Sequence, residues 1–555
     1  MCLKKSYLNL SILLTGLLII QSCTMKKHVD TLVTNARIYT IDDINQVAEA
    51  MVINQGKVVS TGLTEDLLKI YEPARKLDAE GKTIFPGFID AHCHFYGLAL
   101  GLRWIDLVGC SSFEEVVERI SLADTIQEDA WITGRGWDQN LWKVKEFPDK
   151  NVLDERWPDR PVVLVRIDGH SVLANQEALD RAGITSDHHF SNGEVEIVHG
   201  KLTGILSETA ADHIRNAIPK PDREATLDLL SEAQELCFSL GLTGVSDAGL
   251  DLNTVKLMDS ALQDGLLHIH IYAMLEPSEE NIEAFVKEGP YLKDRLHICS
   301  IKLYADGSLG SRTALLKQPY SDDPSRSGIQ VSSEESIRDI CKLALEKNYQ
   351  VNVHCIGDKA VRMVLDVYGE FLEDGNDRRW RIEHAQVVDP ADLILFGKYS
   401  VIPSVQATHA TSDMYWAGDR LGPERIKWAY AYNDLLSQNG WLPNGTDFPI
   451  ERVNPLLTFF AAVARQDVSG FPAGGFQPEN ALSREQAIRS MTIWAAKANF
   501  DENEYGSLEP GKWADFILLD KDIMEIPINE VPEVKVLQTW SHGERVYTNS
   551  EMVKW

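Results

Sequence analysis

Phe85-Pro86-Gly87-Phe88-Ile89-Asp90-Ala91-His92-Cys93-His94 joins an apolar run to two histidines that are separated by one residue. Because alternate side chains of a β-strand share a face, Asp90, His92 and His94 should point the same way. Neutral imidazole rings are good ligands for zinc, so two of them at a strand end can hold one metal ion. The same spacing recurs at His268-Ile269-His270, so the pair needs support from elsewhere in the chain.

The middle of the chain alternates short apolar runs with helical patterns, which is typical of parallel βα units. Eight runs are candidate strands: 88–94, 244–247, 268–274, 297–304, 350–354, 381–384, 401–405 and 441–447. Eight such strands in this order predict an α/β fold built on a TIM (β/α)8 barrel. The chemistry of that barrel lies at the carboxyl ends of its strands.

The gap between the first two predicted strands is too long for one crossover connection. Residues from about 125 to 215 should therefore form an insertion over the barrel mouth. It contains two polar, turn-rich segments, Gly134-Arg135-Gly136-Trp137-Asp138 and Arg166-Ile167-Asp168-Gly169-His170. We expect Asp138 and His170 to line a substrate pocket. The alternative, that both segments only hold the insertion together, stays open.

Four more candidate ligands close predicted strands: Lys302, His354, His384 and Asp447. A single buried histidine at a strand end is usually a structural residue. Six metal-binding side chains, each at the expected top face of a barrel, point instead to one metal site. His268 and His270 are excluded from it because they open their strand.

This order of ligands resembles the amidohydrolase superfamily, whose members are metal-dependent hydrolases. The stretch 85–94 is close to the strongest motif of that superfamily. The segment Lys302-Leu303-Tyr304-Ala305-Asp306-Gly307-Ser308-Leu309-Gly310-Ser311-Arg312-Thr313-Ala314 resembles the branch that includes N-substituted formamide deformylase. Arg135-Gly136-Trp137-Asp138 and Gln406-Ala407-Thr408-His409 are similar to that branch too. The resemblance covers about residues 30 to 548.

The resemblance implies that His92 and His94 hold one metal ion, and that His354 and His384 hold a second. Lys302, carboxylated on its amine, would bridge the two ions. An unmodified ammonium group beside two cations is disfavoured, so this lysine has to be neutral or carboxylated. If Lys302 were instead an ordinary salt-bridging lysine, near Asp306 for example, the site would be mononuclear. Zinc, as one or two ions, is the default expectation.

Asp447 would sit on the first metal ion beside the attacking water, whose pKa the metals lower. It would take the water proton and deliver it to the departing nitrogen. Asp306, Arg312 and His409 are further candidates that could orient the substrate or stabilise an oxyanion. The alternative for these three is loop structure, since Asp306-Gly307 is a turn pair and Arg312 can pair with a carboxylate.

Short strands with turns fill both ends of the chain. Residues 30–84 and 501–550 should combine into one small β-sandwich, with the barrel occupying 85–500. The first 23 residues are typical of a lipoprotein signal: Lys4 and Lys5, a short apolar run, then Ile20-Gln21-Ser22-Cys23. An ordinary signal peptide or an uncleaved anchor is the alternative. We expect an exported protein, lipid-anchored through Cys23 at a bacterial membrane and facing the periplasm or the outside.

The chain carries 83 acidic and 54 basic residues among its 555, a formal net charge of −29. Nucleic-acid binding is disfavoured, because phosphate would be repelled and no basic patch is present. Six of the eight cysteines follow the predicted signal and lie scattered, which is typical of small buried residues rather than of a disulfide framework.

The resemblance implies a hydrolase in which a metal-bound hydroxide cleaves a non-peptide C–N bond of a small amide or substituted formamide. Two alternatives lie within enzymes, a mononuclear deaminase and a hydrolase of another acyl bond. A third is a binding lipoprotein that kept the barrel and lost turnover. The sequence does not indicate the substrate or the oligomeric state.

Overall fold

The computed structural model describes residues 26–123, 131–190 and 192–549. The predicted lipoprotein signal and Cys23 lie outside these residues. Within them, no helix combines the length and the apolar character that a bilayer crossing requires.

Seven parallel strands form most of a barrel. In chain order they are β1 (Phe88–Cys93), β2 (Leu242–Leu250), β3 (His270–Leu275), β4 (Leu296–Tyr304), β5 (Gln350–Cys355), β6 (Arg381–His384) and β7 (Ile402–Ser404). Each strand pairs in parallel with the next one along the chain. Their side chains are almost entirely buried, as both faces of a barrel strand are covered.

The eighth position is filled by an irregular segment, so the strand predicted over 441–447 was wrong as a regular element. Asn444 makes a single parallel bridge to Val405, and the Asp447 amide donates to the His92 carbonyl, which closes the ring. Pro443 lacks an amide donor, and Asp447 adopts a positive φ of 61°. A side chain at Gly445 would meet the His92 nitrogen at 2.5 Å, so the backbones pass unusually close here.

Helices surround the barrel and connect its strands. Capping side chains define several helix starts; the Asp222 carboxylate, for example, accepts the Ala225 amide. The α-helices are Thr64–Ile70, Phe95–Gly101, Phe113–Ala123, Asn151–Arg156, Gln176–Arg181, Thr209–Ala217, Arg223–Ser239, Leu252–Gln263, Glu279–Ala284, Glu334–Lys347, Asp358–Tyr368, Leu393–Lys398, Ala407–Asp413, Ala417–Arg425, Tyr432–Asn439, Pro455–Ala464, Arg484–Ser490 and Ile493–Ala498. Short 3₁₀ turns are Gln139–Leu141, Val286–Glu288, Ile426–Trp428, Pro478–Asn480 and Ile528–Glu533.

The segment between β1 and β2 carries a sheet of its own. Its strands, in spatial order, are Gly193–Val198, Lys201–Glu208, Ser171–Ala174, Val162–Arg166, Ile132–Trp137 and Ile105–Asp106. The inserted sheet thus begins at Ile105, earlier than the predicted start near 125, because a two-residue strand leaves no clear pattern. Trp137, Leu164 and Leu173 are buried in a core separate from that of the barrel.

Both chain ends form two facing sheets. One contains Lys57–Gly62, Ala50–Asn54, Lys27–Thr34 and Tyr71–Asp78. The other contains Glu544–Thr548, Val536–Ser541, Phe516–Leu519, Thr83–Pro86, Arg37–Tyr39 and Val47–Ala48. The antiparallel pairing of Phe516–Leu519 with Thr83–Pro86 joins the two ends directly beside β1. Val33, Ile53 and Trp540 pack in the core between the sheets.

The six cysteines in the described residues are buried free thiols, as expected: Cys93, Cys110, Cys237, Cys299, Cys341 and Cys355.

Candidate metal centre and active site

The end of β1 is fixed by Asp90. Its buried carboxylate accepts the amides of His92 and Thr446 and the hydroxyl of Thr446. Burial raises the pKa of Asp90 to about 7, with these hydrogen bonds working against the rise. Asp90 therefore joins β1 to the segment that carries Asp447, which places that aspartate beside the two histidines.

His92 is oriented by a buried ion pair. Its Nδ1 lies 2.6 Å from Glu383 Oε2, and Glu383 Oε1 lies 2.7 Å from Arg381 Nε. Burial raises the pKa of the Glu383 carboxyl, but Arg381 and His92 outweigh it and hold that pKa far below the usual value. An ionised Glu383 accepts a hydrogen bond from the protonated Nδ1 of His92, which leaves Nε2 free to bind a metal.

Three side chains form a tight group. His92, His384 and Asp447 each offer a ligand atom, and these atoms lie within 4.8 Å of one another. Asp447 Oδ1 is also 3.3 Å from His94 Nε2. Asp447 Oδ1 and His384 Nδ1 are both buried, and neither has a hydrogen-bond partner among the residues that the structure describes. Buried polar atoms without partners are costly, and a divalent cation among these donors would satisfy them. The residues present fit a metal ion.

Lys302 lies against this group. Its amine is 3.2 Å from His92 Nε2, the residue is 1% exposed, and burial lowers its pKa to about 8. Lys302 does not form a salt bridge with Asp306, the alternative that was considered from the sequence. The Asp306 carboxylate instead accepts the backbone amides of Leu315, Ile356 and Gly357. Asp306 thus connects the loops around the site through hydrogen bonds. This is the loop-structure role that was the alternative to substrate binding for that residue.

His354 stands next to His384, with their ring centroids 4.5 Å apart. Its Nε2 lies 3.2 Å from the Gly307 carbonyl, so Nδ1 is the nitrogen available to a metal. His354, His94 and Lys302 surround the tight group without belonging to it. The structure therefore brings all six predicted ligands to one end of the barrel. His92, His384 and Asp447 are the three whose ligand atoms all lie within 4.8 Å of one another.

His409 sits between two carboxylates. Its Nε2 is 3.2 Å from Asp447 Oδ2 and its Nδ1 is 3.0 Å from Glu451 Oε1. Burial lowers the pKa of His409, but the hydrogen bonds to Asp447 and Glu451 outweigh it, and the pKa lies well above the usual value. A protonated His409 donates to both acids. Glu451, like Glu383, was missed by the sequence reasoning.

A cavity of about 1340 Å³ opens above these residues. The barrel contributes His94, Lys302, His354, His384 and Asp447 to its lining, and the insertion contributes Arg135, Asp138, Arg166, Asp168 and His170. The insertion therefore covers the mouth, as predicted. Trp104, Leu457 and Phe460 give the wall an apolar portion.

The insertion residues on this wall are tied to one another and to the barrel. Asp138 and Asp168 flank the buried Arg166 guanidinium at 2.5 and 2.6 Å. Asp168 also accepts the hydroxyl of Ser308, which follows β4. Asp138 thus stabilises the insertion and also lines the cavity. The two roles considered for this segment, pocket lining and internal structure, are compatible.

His170 also lines the cavity. Its Nδ1 lies 2.9 Å from Glu208, and its ring centroid is 5.4 Å from that of His354. Arg312 does not lie on the cavity wall. Its guanidinium pairs with Asp322 at 2.9 Å, which matches the loop alternative rather than substrate contact.

The family model for the amidohydrolase family matches residues 75–547. The chain belongs to the amidohydrolase family. It is 31% identical over 527 residues to putative amidohydrolase YtcJ of Bacillus subtilis (strain 168), covering 92% of this chain and 98% of that protein. It is 26% identical over 546 residues to N-substituted formamide deformylase of Arthrobacter pascens, covering 93% and 97%.

Among solved structures, an uncharacterized metal-dependent hydrolase from Pyrococcus horikoshii OT3 is similar to the chain. The TM-score is 0.75 at 32% sequence identity, and the match covers 90% of this chain and 99% of that one. The family and the barrel expected from the sequence are thereby confirmed, and the protein is a hydrolase of the metal-dependent kind.

Proposed function

We propose that this amidohydrolase cleaves a non-peptide C–N bond, an amide or a substituted formamide, in a small molecule. The N-substituted formamide deformylase relative supports this reaction, since the match spans almost the whole of both chains. The observation that carries the proposal is the tight group of His92, His384 and Asp447 at the floor of a large, partly apolar cavity.

The residues that would hold the metal are His92, His94, carboxylated Lys302, His354, His384 and Asp447, with zinc as the proposed metal. When bound there, it lowers the pKa of a water molecule and polarises the scissile carbonyl group. Carboxylation of Lys302 would turn a neutral amine into an anionic bridging ligand. Its burial next to His92 Nε2, without a salt bridge in the described part of the chain, supports this modification.

Asp447 is the proposed proton carrier. One oxygen, Oδ1, faces His94 and His92, and the other, Oδ2, accepts the His409 hydrogen bond. Its carboxylate takes a proton from the attacking water and delivers it to the departing nitrogen. His409 and Glu451 fix the plane of that carboxylate, so the proton is moved along a defined path.

The experiment is a hydrolysis screen on purified, metal-loaded protein with N-substituted formamides, N-acyl amino acids and cyclic amides. Asp447→Asn serves as the matched variant and should reduce turnover by roughly 10²–10⁴-fold, the usual contribution of general acid–base catalysis. Hydrolysis of an amide by wild type but not by the variant supports the proposal. No turnover of any amide by fully metal-loaded protein would contradict it.

A mononuclear deaminase, or a mononuclear hydrolase of another acyl bond, is the second candidate, favoured by the restriction of the tight group to three ligands. Metal analysis separates the two. Two metal ions per chain support the binuclear hydrolase with a Lys302 bridge, and one supports the mononuclear enzyme. Absence of bound metal after loading would favour the third alternative, a binding protein without turnover.

We also propose that the chain is exported and anchored by a lipid at Cys23. The support is the sequence Ile20-Gln21-Ser22-Cys23 after a short apolar run. Wild type should incorporate a labelled fatty acid, and Cys23→Ala should not. Absence of the label from wild type, or equal labelling of both proteins, would contradict the lipid anchor.

A further inference from the structure

Arg135 is a partly buried cation on the cavity wall. It lies in the inserted strand Ile132–Trp137 and lines the cavity together with His94 and Asp447. Its Nε donates to the Pro449 carbonyl at 3.3 Å, and its Nη2 donates to the Ile167 carbonyl at 3.1 Å. Pro449 follows Asp447 by two residues, so the guanidinium is held close to the candidate metal centre.

No carboxylate of the described residues pairs with Arg135. Its two hydrogen bonds go to neutral carbonyls, and Nη1 donates to no group in this part of the chain. Arg166, on the same wall, is flanked by two aspartates, and Arg215 is paired with Asp212. Partial burial of a cation without a paired carboxylate is costly. Burial, and then the nearby Arg215, lower the pKa of Arg135 to about 10, while the more distant charges of Asp168 and Asp447 raise it. Arg135 stays protonated at neutral pH.

The space in front of Arg135 is kept open by Gly169. A side chain at this position would stand 3.5 Å from Arg135 Nη2, and the residue has a φ of +75° that favours glycine. Arg215 Nη1 donates to the Gly169 carbonyl, so a second guanidinium lies behind the same turn. The result is a corner of the cavity that holds two guanidinium groups, with unused N–H donors on Arg135.

We propose that Arg135 binds a carboxylate group of the substrate, so that the preferred substrates are N-acyl or N-formyl amino acids rather than uncharged amides. A guanidinium with unused parallel donors is the group that binds a carboxylate best. This inference rests on the proposed function. In the reaction, water adds its oxygen to the acyl carbon, the C–N bond breaks, and the nitrogen leaves protonated. The carboxylate at Arg135 is unchanged throughout.

Binding is tested first, with unreactive sulfonamides in place of the amide. The pair is N-methylsulfonylphenylalanine, as each enantiomer, and N-methylsulfonylphenethylamine, which differs only by the carboxylate. Isothermal titration calorimetry on metal-loaded wild type should show about 10- to 100-fold tighter binding of the carboxylated ligand for at least one enantiomer, the usual gain from hydrogen bonds between charged groups. In Arg135→Gln the difference should disappear.

Three comparisons make this test specific. Arg135→Lys keeps the charge without the planar fork and should retain part of the preference. Arg181→Gln makes the same change in the insertion at a residue outside the cavity lining, and should leave the preference intact. Thermal unfolding and metal content of each variant show whether the fold and the centre are preserved. Equal binding of both ligands by wild type, or a preference that survives in Arg135→Gln, would overturn the proposal.

Turnover measurements separate carboxylate binding by Arg135 from the proposed hydrolysis. Wild type should hydrolyse N-formylphenylalanine with a higher kcat/KM than N-formylphenethylamine. Arg135→Gln should raise KM for the first substrate, and should lower kcat/KM for the first substrate about 10-fold or more beyond any change for the second. Hydrolysis of the uncharged substrate alone would contradict carboxylate binding by Arg135 but agree with the proposed function. Hydrolysis of neither substrate, with the calorimetric preference present, would support carboxylate binding and contradict the proposed reaction.

Discussion

His409 Nε2 lies 3.2 Å from Asp447 Oδ2, at the oxygen that does not face His92 and His94. The opposite nitrogen of the ring is held by Glu451 at 3.0 Å. This arrangement supports a role for His409 in orienting Asp447. Substrate contact, the role considered for it from the sequence, stays a prediction, since His409 also lines the cavity. In the proposed reaction, this contact would keep Asp447 aligned while it moves a proton.

His409→Asn should therefore lower kcat by roughly 10- to 100-fold, as the loss of an outer partner of a metal-site residue commonly does. KM and metal content should stay near wild-type values. Steady-state kinetics and metal analysis provide the measurement, with His213→Asn, an exposed histidine of the insertion, as the matched control. A normal kcat with a raised KM would contradict this role and indicate that His409 contacts the substrate.

Glu383→Gln should weaken metal binding by roughly 10- to 100-fold. Glutamine cannot provide the ionised acceptor that fixes the Nδ1 proton of His92, and it leaves the buried Arg381 without its counter-charge. Competition with a chelator measures the metal affinity. Glu424→Gln, at an exposed glutamate, is the control, and thermal unfolding reports any loss of stability. Unaltered affinity in a folded Glu383→Gln protein would show that His92 does not depend on this contact.

His542 makes stability depend on pH. Its ring stacks on Trp513 at 3.8 Å and its Nε2 meets the Tyr505 hydroxyl at 3.0 Å. Burial first, and then nearby Arg295, lower the pKa of His542 to about 2. Since the unfolded chain has the higher pKa, it takes up the proton first as pH falls. The stabilisation is complete above about pH 6.5 and is lost progressively towards pH 2.

Wild type should lose up to about 2 kcal/mol of unfolding free energy between pH 6.5 and 5 through this group. His542→Gln stays uncharged and should lose correspondingly less over the same interval. Urea unfolding at both pH values measures the difference, with His28→Gln, at an exposed histidine of the strand Lys27–Thr34, as the control. Identical pH dependence of wild type and His542→Gln would show that the imidazole does not carry the effect.

The seven barrel strands could be predicted because each is a short apolar run, and four of them, β1, β4, β5 and β6, also carry a predicted metal ligand at or near the carboxyl end. The range 381–384 matches the observed strand, and the others differ by a few residues at their ends. The segment 441–447 could not be predicted, because its path depends on backbone contact with β1 at Gly445. The local sequence does not indicate such a contact, because the two segments are far apart in the chain.

The partners of the metal residues were missed for a related reason. His92 and Glu383 are 291 residues apart in the chain, and only folding brings them to 2.6 Å. Glu451 lies four residues beyond Asp447, and nothing in its neighbours marks it as a partner of His409. Arg135 was visible only as part of a turn-rich segment. That no carboxylate of the described residues pairs with it is a property of the folded cavity.

Lys302→Ala tests the bridging ligand. The Lys302 amine lies 3.2 Å from His92 Nε2 in a fully buried position, where a carboxylated side chain would join two metal ions. Its removal should lower both metal content and activity, by more than the roughly 10- to 100-fold that an outer partner contributes. Acetate or propionate can enter the space left by the side chain and restore part of both. Lys342→Ala, at an exposed lysine of the helix Glu334–Lys347, should behave as wild type. Full metal loading of Lys302→Ala, with no response to added carboxylates, would remove the bridge and favour the mononuclear enzyme.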